Sequence, residues 1–316
     1  MNKWRLLEQV INVLSSAGFV NSERCHNKPK SFDLAARKEK ILLLLNILSN
    51  IDGMGEESAN ELKLLAKHML GSPLIIGERT RNKMLRTGVV YQRYGVPSIN
   101  VQTLYDYFVD GVPPYVYAGP GGLYVDINNK TLREARISRN MSLGDLASEL
   151  GVSRRCISKY EEGMDVTIEK GLRLEEILKT VLVEPLFILK ETQIDDVHLD
   201  FDELSDLEQN ILTSMVDIGF NVFPTTKAPF NAVSTDDENT ILTGISMYTG
   251  TMVKRAKLVS SISRVAMMQS VFIVEGDLKT SKIEDTVIIK RDELDRVDDS
   301  GDFVDLVENK KCKKAI

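Results

Sequence analysis

The chain has 316 residues, which is too long for one small module and predicts two or three domains. Its 43% apolar and 27% charged residues can build ordinary cores, which excludes an intrinsically disordered chain. No run approaches about eighteen apolar residues, and Cys25, Cys156 and Cys312 are too few and too scattered for a disulfide framework or a zinc cluster.

The composition also bears on compartment and cofactors. Residues 1–8 lack the apolar run of a signal peptide, and so few cysteines are typical of a reducing interior. We therefore expect a cytoplasmic protein that has no membrane partner. His26, His68 and His198 lie too far apart for a metal-ligand spacing, so we predict no metal site and no cofactor.

The first third of the chain alternates helix-like and strand-like segments, which predicts an α/β layer. Apolar residues recur at helical spacing over 4–17, and the short apolar runs at 41–45 and 73–77 are typical of strands buried on both faces. The other predicted elements are a strand at 31–36, a helix at 58–70, strands at 89–94 and 96–99, a helix at 101–108, and a glycine-rich hairpin at 115–125.

A basic cluster follows the predicted strand at 73–77. Its members are Arg79, Arg81, Lys83, Arg86 and Arg93. Such a cluster can contact nucleic-acid phosphates, and it can equally be a solvated basic loop. The sequence leaves both readings open.

Residues 131–178 predict four short helices. One flank of the first helix, 131–140, carries arginines three residues apart: Arg133, Arg136 and Arg139. Ser142 is predicted to cap the second helix, 142–150, in a capping box with Asp145. Gly151 ends that helix because glycine tolerates a left-handed backbone. The fourth helix, 168–178, offers apolar residues to cover the module: Leu172, Leu174, Ile177 and Leu178.

The third helix, 153–161, carries the chemistry of this module. Ser153 is its predicted cap, and Ile157 and Tyr160 fall on the side that faces a core. The outer side carries the polar and basic residues Arg154, Arg155, Ser158 and Lys159. Arginine can pair with guanine through two hydrogen bonds, serine can bond a base or a phosphate, and lysine suits phosphate. This face is therefore predicted to enter the major groove of DNA. The caps Ser142 and Ser153 are also predicted to be DNA-binding residues, with Ser142 on a phosphate.

Three segments in register carry a family resemblance: Leu-Arg-Glu-Ala-Arg at 132–136, Leu-Ala-Ser-Glu-Leu-Gly-Val-Ser at 146–153, and Ile-Ser-Lys-Tyr-Glu-Glu-Gly at 157–163. Through them, residues 131–178 resemble the Cro/C1-type helix-turn-helix family, which implies binding to double-stranded DNA. The family usually has Gln as the second residue of the second helix, whereas this chain has Leu143. The alternative is a helical bundle of the same shape that binds a protein.

The charge balance indicates how such a module would bind. Residues 131–162 contain six basic side chains and five acidic ones, and the whole chain has a formal net charge of -6. Binding therefore depends on the arrangement of local charge. We expect modest nonspecific affinity and a homodimer that presents two modules at a fixed half-site spacing.

The last third of the chain resembles the first. After an acidic linker at 183–203, segments 14–19, 31–36, 41–45 and 69–76 recur in order as 215–220, 229–234, 241–245 and 267–274. Gly219 follows Gly18 by 201 residues and Phe230 follows Phe32 by 198, which favours an internal duplication. The second copy is predicted to lack a counterpart of 89–95 and to end in a frayed tail at 298–316.

The order of helix, strand, buried strand, helix and strand resembles the core of PD-(D/E)XK nucleases. Those enzymes need an Asp, then an acid and a Lys two residues apart, to bind Mg²⁺ and activate water. In the first copy these positions read Asp33, Leu44 and Asn46, and in the second Asn231, Gly244 and Ser246. We therefore predict no catalytic residues and a degenerate copy that serves as a scaffold.

The sequence thus predicts an α/β plus all-α fold, in which two related α/β domains flank a helix-turn-helix bundle. The predicted boundaries are 1–126, 127–182, the linker 183–203 and 204–316. The whole chain resembles archaeal HTH-type transcriptional regulators, which implies operator binding without catalysis. A nuclease delivered to DNA by the module and a protein-interaction adaptor are the rival functions, and the sequence identifies no small-molecule effector.

Overall fold

The computed structural model describes residues 3–25, 30–189, 204–276 and 280–312. These residues form two mixed sheets with helices on their faces, together with a group of short helices. The mixed α/β class with a helix-turn-helix segment, predicted from the sequence, is confirmed.

The first α/β unit is built on a long buried strand. Its elements are α1 (Lys3–Ser16), β1 (Val20–Asn21), β2 (Leu34–Lys38), β3 (Ile41–Asn50), α2 (Glu56–His68), β4 (Ser72–Arg79), β5 (Val89–Arg93), β6 (Val96–Ile99) and α3 (Val101–Phe108). Leu43 and Leu45 pack with α1 and α3, while Leu42 and Leu44 point to the opposite core with α2. Side chains of a strand alternate between faces, so an unbroken apolar run is required here.

The helical module is continuous with this first sheet. It comprises β7 (Val116–Gly119), β8 (Gly122–Val125), α4 (Asn129–Ser138), α5 (Leu143–Leu150), α6 (Arg154–Glu161), β9 (Val166–Thr167) and α7 (Ile168–Leu178). Strand β7 pairs with β5, and β8 pairs with both β7 and β9. The predicted hairpin is confirmed, and it forms a wing that joins the sheet to the helices.

The second α/β unit repeats the strand order of the first. Its elements are α8 (Asp206–Asp217), β10 (Asn221–Pro224), β11 (Ala232–Thr235), β12 (Thr240–Met247), α9 (Gly250–Ala266), β13 (Gln269–Glu275), β14 (Lys282–Ile283), β15 (Thr286–Lys290), α10 (Arg291–Leu294) and α11 (Ser300–Cys312). The order β10-β11-β12-β13-β15-β14 matches β1-β2-β3-β4-β6-β5, with the same parallel and antiparallel pairings.

The two α/β units pack against each other through α2 and α9. One apolar core contains residues of both helices together with Phe32, Phe230 and Phe272. The guanidinium of Arg37 donates to the carbonyls of Val265 and Ala266 at 2.9 and 2.8 Å, which ties β2 to the end of α9. Each unit thus covers the helical face of the other within a single chain.

Two predictions for the second unit are wrong. The counterpart of 89–95 is present as the short strand β14, which pairs with β15 as β5 pairs with β6. The expected frayed tail is the helix α11, because Phe303 and Val307 lie one turn apart and are buried against the sheet. Residues 313–316 lie outside the described residues.

Smaller departures have local causes. Strand β2 begins at Leu34 and not at Ser31, because the N–H of Ser31 donates to the carbonyl of Lys227 in the second unit at 2.9 Å. Leu172, expected to cover the module, is 53% exposed. The first part of the predicted linker packs against the first α/β unit. Ile188 is buried in its core, and the N–H of Leu186 donates to the carbonyl of Pro114. Its remainder, 190–203, lies outside the described residues.

Candidate nucleic-acid interface

Local hydrogen bonds define the two helices of the helix-turn-helix. The Ser142 side chain accepts from the N–H of Asp145 at 3.1 Å, and the Asp145 carboxylate accepts from the N–H of Ser142 at 2.7 Å. This is the predicted capping box, and its hydrogen bonds lower the pKa of Asp145. Gly151 ends α5 with φ at 70°, and Ser153 caps α6 by accepting from the N–H of Cys156.

The inner face of α6 is fixed by a compact core. Ile157 and Tyr160 are buried, as predicted, and they pack with Leu146 and Ala147 of α5. Leu143, at the position where the family usually has Gln, is partly buried against the same core. The side chain at this position therefore contributes to the packing of the module.

The outer face of α6 is basic and accessible. Arg154, Arg155 and Lys159 are exposed, and the described residues provide no ion pair for their side chains. The Arg154 side chain lies close to α5: its Cδ would be 3.6 Å from a Cβ added at Gly144. The Arg154 charge also helps to lower the pKa of Asp145, whereas Arg155 has no side-chain hydrogen bond or ion pair with the described residues.

The three predicted serine sites are engaged in local bonds. Ser142 and Ser153 accept backbone N–H groups through their oxygens, and each hydroxyl keeps its hydrogen for donation. Ser158 donates to the Glu162 carboxylate at 2.8 Å. A base or phosphate must compete with Glu162 for this hydroxyl.

Arg136 is not on the exposed flank where the sequence placed it. Its guanidinium donates to both carboxylate oxygens of Glu161 at 2.6 and 3.0 Å and to the carbonyl of Met141 at 2.9 Å. About a tenth of each charged side chain remains exposed. A sequence signal was available, because Arg136 lies four residues after Leu132 and next to Ala135, on the buried stripe of α4.

The module is held firmly to its surroundings. Its entry and exit segments pair through Ile127 and Val183, and the side chain of Asn128 donates to Glu184 at 2.7 Å. The Glu175 carboxylate accepts the N–H groups of Leu182 and Val183. With the β5–β7 pairing, these bonds fix the orientation of α6 relative to the first sheet.

Of the nuclease positions predicted in the first unit, Asp33 is the centre of a buried ion cluster. Asp33 is fully buried, and its carboxylate lies 3.1 Å from the Lys3 Nζ and 2.5 Å from the Lys30 Nζ. It also accepts the N–H of Ile47 at 2.8 Å. Asn46 is buried and donates to the carbonyl of Ser31. Burial lowers the pKa of Lys3.

These residues do not fit Mg²⁺. The cation ligates several oxygens, usually carboxylates and waters, whereas Asp33 is already bonded to two ammonium groups. Leu44 supplies no oxygen, and the two amino groups would repel the metal. No cluster of three potential metal ligands occurs in the described part of the chain.

In the second unit the neutral side chain of Asn231 takes the place of Asp33, between charged partners: it donates to the Glu208 carboxylate and accepts from the Arg255 guanidinium. The Asn231 side chain accepts the N–H of Ile245 at 2.7 Å, as Asp33 accepts that of Ile47. The shared register places Leu242 and Gly244 at the positions of Leu44 and Asn46, so the predicted equivalence with Gly244 and Ser246 is wrong. A Cβ at Gly244 would lie 2.5 Å from the ring of Phe272.

The basic cluster is divided by the structure. Arg93 pairs with Asp52 and is partly buried, so it is not available to a ligand. The other members are exposed: Arg79 is the last residue of β4, and Arg81, Lys83 and Arg86 lie on the loop that follows. None of the helices in the described ranges is both long enough and apolar enough to span a membrane.

The geometry defines a helix-turn-helix protein with an attached PD-(D/E)XK-like unit, and the comparisons agree. Residues 132–183 match the family described as "Helix-turn-helix", and residues 3–114 match the "PD-(D/E)XK superfamily domain". No solved structure matches the chain significantly.

Several archaeal proteins match this chain from end to end. A relative from Methanococcoides burtonii is 50% identical, with 97% of each chain covered. A relative from Methanocella arvoryzae is 47% identical over 100% of this chain and 99% of its own, and one from Haloarcula marismortui is 41% identical with 97% of each covered. All are described as "Putative HTH-type transcriptional regulatory protein". The chain belongs to this family of HTH-type transcriptional regulatory proteins.

Proposed function

We propose that this protein is a sequence-specific regulator of transcription that binds double-stranded DNA through α6 and catalyses no reaction. Arg154, Arg155 and Ser158 would contact base edges, while Lys159, Ser142 and Ser153 would position phosphates. The observation that carries the proposal is the division of α6, with Ile157 and Tyr160 in the core and three exposed basic side chains outside.

Arg155→Ala tests this role most simply. We expect a loss of about 1–3 kcal/mol in binding free energy and a relaxed preference at one base pair, because two hydrogen bonds to a guanine are removed. The measurement is a mobility-shift titration of a duplex that the wild-type protein enriches from a random pool.

The control is Arg5→Ala, which removes an exposed arginine from α1. Its affinity and preference should equal those of the wild type, since α1 belongs to the first α/β unit and not to the module. Unchanged affinity together with unchanged preference in Arg155→Ala would refute the proposed reading role.

We also propose that two chains bind one operator. Each chain carries a single α6, and one short helix reads only a few base pairs. The α2 and α9 faces already belong to one core within a single chain, so a homodimer would use another surface.

Such a regulator would work in the cytoplasm, where the three free cysteines would stay reduced.

The two α/β units are proposed to derive from an internal duplication. The equal strand order and the matching bonds of Asp33 and Asn231 support a common origin. Both copies are proposed to be scaffolds, because neither has the second carboxylate and the lysine of the nuclease pattern.

The match of residues 3–114 makes a nuclease the second candidate. The residues around Asp33 argue against it, so we expect no nicking of supercoiled plasmid with Mg²⁺ or Mn²⁺. Plasmid relaxation followed on an agarose gel measures this. Nicking that disappears in Asp33→Asn would establish an enzyme in place of a scaffold.

A further inference from the structure

The loop between β4 and β5 holds a fixed shape. Arg79 and Met84 form a β-bridge, and the N–H of Thr80 donates to the carbonyl of Lys83 at 2.8 Å. The N–H of Leu85 donates to the carbonyl of Glu78 at 2.8 Å, and Leu85 is buried beneath the loop. A ligand would therefore meet side chains on a preorganised backbone, which lowers the entropic cost of binding.

Two contacts tie this loop to its surroundings. The N–H of Arg81 donates to the Asp52 carboxylate at 2.5 Å, and that of Arg86 donates to the hydroxyl of Tyr91 at 3.1 Å. Asp52 is itself paired with Arg93. Asp52 is thus already neutralised by a residue outside the loop.

The loop concentrates unpaired positive charge. Four exposed basic side chains, at the end of β4 and on the loop, have no ion pair or side-chain hydrogen bond with the described residues: Arg79, Arg81, Lys83 and Arg86. No acidic residue lies between Arg79 and Arg86. In a chain whose formal net charge is -6, this gives a local field that attracts a polyanion.

A groove separates this loop from the wing. It has a volume of about 860 Å³ and is lined by Lys83, Arg86 and Tyr91 on one side and by Gly121 and Gly122 on the other. A Cβ at either glycine would have no atom within 4 Å, so a ligand can approach the backbone there. The hydroxyl of Tyr124 donates to the carbonyl of Pro120 at 2.7 Å and stabilises the wing tip, the turn at 119–122 between β7 and β8.

The wing connects this groove to the DNA-reading helix. Strand β8 runs from the groove at Gly122 to Val125, which lies in the core that holds Ile157 of α6. The groove and α6 are therefore linked through β8 and the core of the module.

We propose that the β4–β5 loop and the wing tip form a second DNA-contact surface, which grips the phosphodiester backbone of the duplex beside the segment read by α6. Lys83 and Arg86 neutralise phosphates in the groove, and Arg79 and Arg81 extend the contact along the strand. This inference rests on the proposed function and adds a sequence-independent contact made by the nuclease-like unit.

The test is the salt dependence of duplex binding by Lys83→Ala/Arg86→Ala. Each phosphate neutralised contributes about 0.9 to the slope of log affinity against log salt concentration. The double variant should therefore lower the magnitude of the slope by about 1.8, measured between about 50 and 200 mM salt. The probe is a mixed-sequence duplex of about 40 base pairs, roughly four helical turns.

The matched control is Lys254→Ala/Lys257→Ala, which removes the same charge from the exposed surface of α9. It should leave the slope unchanged. An unchanged slope in the loop variant, or an equal fall in the control, would overturn the second surface. Because base preference in Arg155→Ala is measured separately, either proposal can fail alone. A wild-type protein that binds no duplex would overturn both.

Discussion

Arg136→Ala is expected to lower the local stability of the helix-turn-helix module by about 3 kcal/mol. The change removes three hydrogen bonds and leaves the Glu161 carboxylate with little exposure and no cation. The measurement is native-state hydrogen exchange of peptides from α4 to α6, which reports the free energy of local opening in a chain with several cores. Exchange in the second α/β unit should not change.

Arg173→Ala is the matched control. Arg173 pairs with Glu176 on the exposed side of α7, and more than half of each side chain is exposed. Surface pairs contribute between about 0 and 1 kcal/mol, so this variant should exchange almost as the wild type does. Equal effects of the two substitutions would mean that the bond between α4 and α6 is no more important than a surface pair.

Asp33→Ala is expected to destabilise the first α/β unit by about 3 kcal/mol. Lys3 and Lys30 lose their shared carboxylate, and the N–H of Ile47 loses its acceptor in a buried strand. Hydrogen exchange of peptides that cover β2 and β3 measures the loss.

Asp33→Asn should cost less, because the amide oxygen can accept the N–H of Ile47 as Asn231 accepts that of Ile245. Addition of Mg²⁺ should leave exchange in the wild-type protein unchanged, since a ligand stabilises only the state that binds it. Protection of β2 and β3 by Mg²⁺ would contradict the reading of Asp33 as the centre of an ion cluster.

The helix-turn-helix was predictable because its signals are local. Ser142 and Asp145 are three residues apart, and Gly151 and Ser153 mark the turn, so capping chemistry fixes the helix ends without tertiary information. The exposed face of α6 followed from the same periodicity. The contacts of those side chains with DNA remain a prediction.

The missed features depend on partners that are distant in sequence. Arg136 and Glu161 are 25 residues apart, and Arg93 and Asp52 are 41 residues apart, so neither pair has a local signature. The helix α11 was missed for a different reason, because charged residues surround Phe303 and Val307, the apolar residues that are buried against the sheet. A buried charge is recognisable only when its helix face is known.

The fold of the flanking units was partly predictable for a related reason. The apolar run at 41–45 required a strand covered on both faces, but not which helices covered it. The packing of the two units, α9 on β2 and α2 on β11, depends on a core shared by residues about 200 positions apart, such as Phe32 and Phe230. Periodicity cannot report such contacts.

Atomic substitution of guanine tests most directly whether Arg155 reads a base. In the enriched duplex, each guanine is replaced in turn by 7-deazaguanine, which lacks the N7 acceptor. The account predicts one position where this change weakens wild-type binding by about 1 kcal/mol and has no effect on Arg155→Ala. The account would be contradicted if, at every guanine, the loss from the base change were the same in the wild type and in Arg155→Ala. It would also be contradicted if no guanine replacement weakened binding.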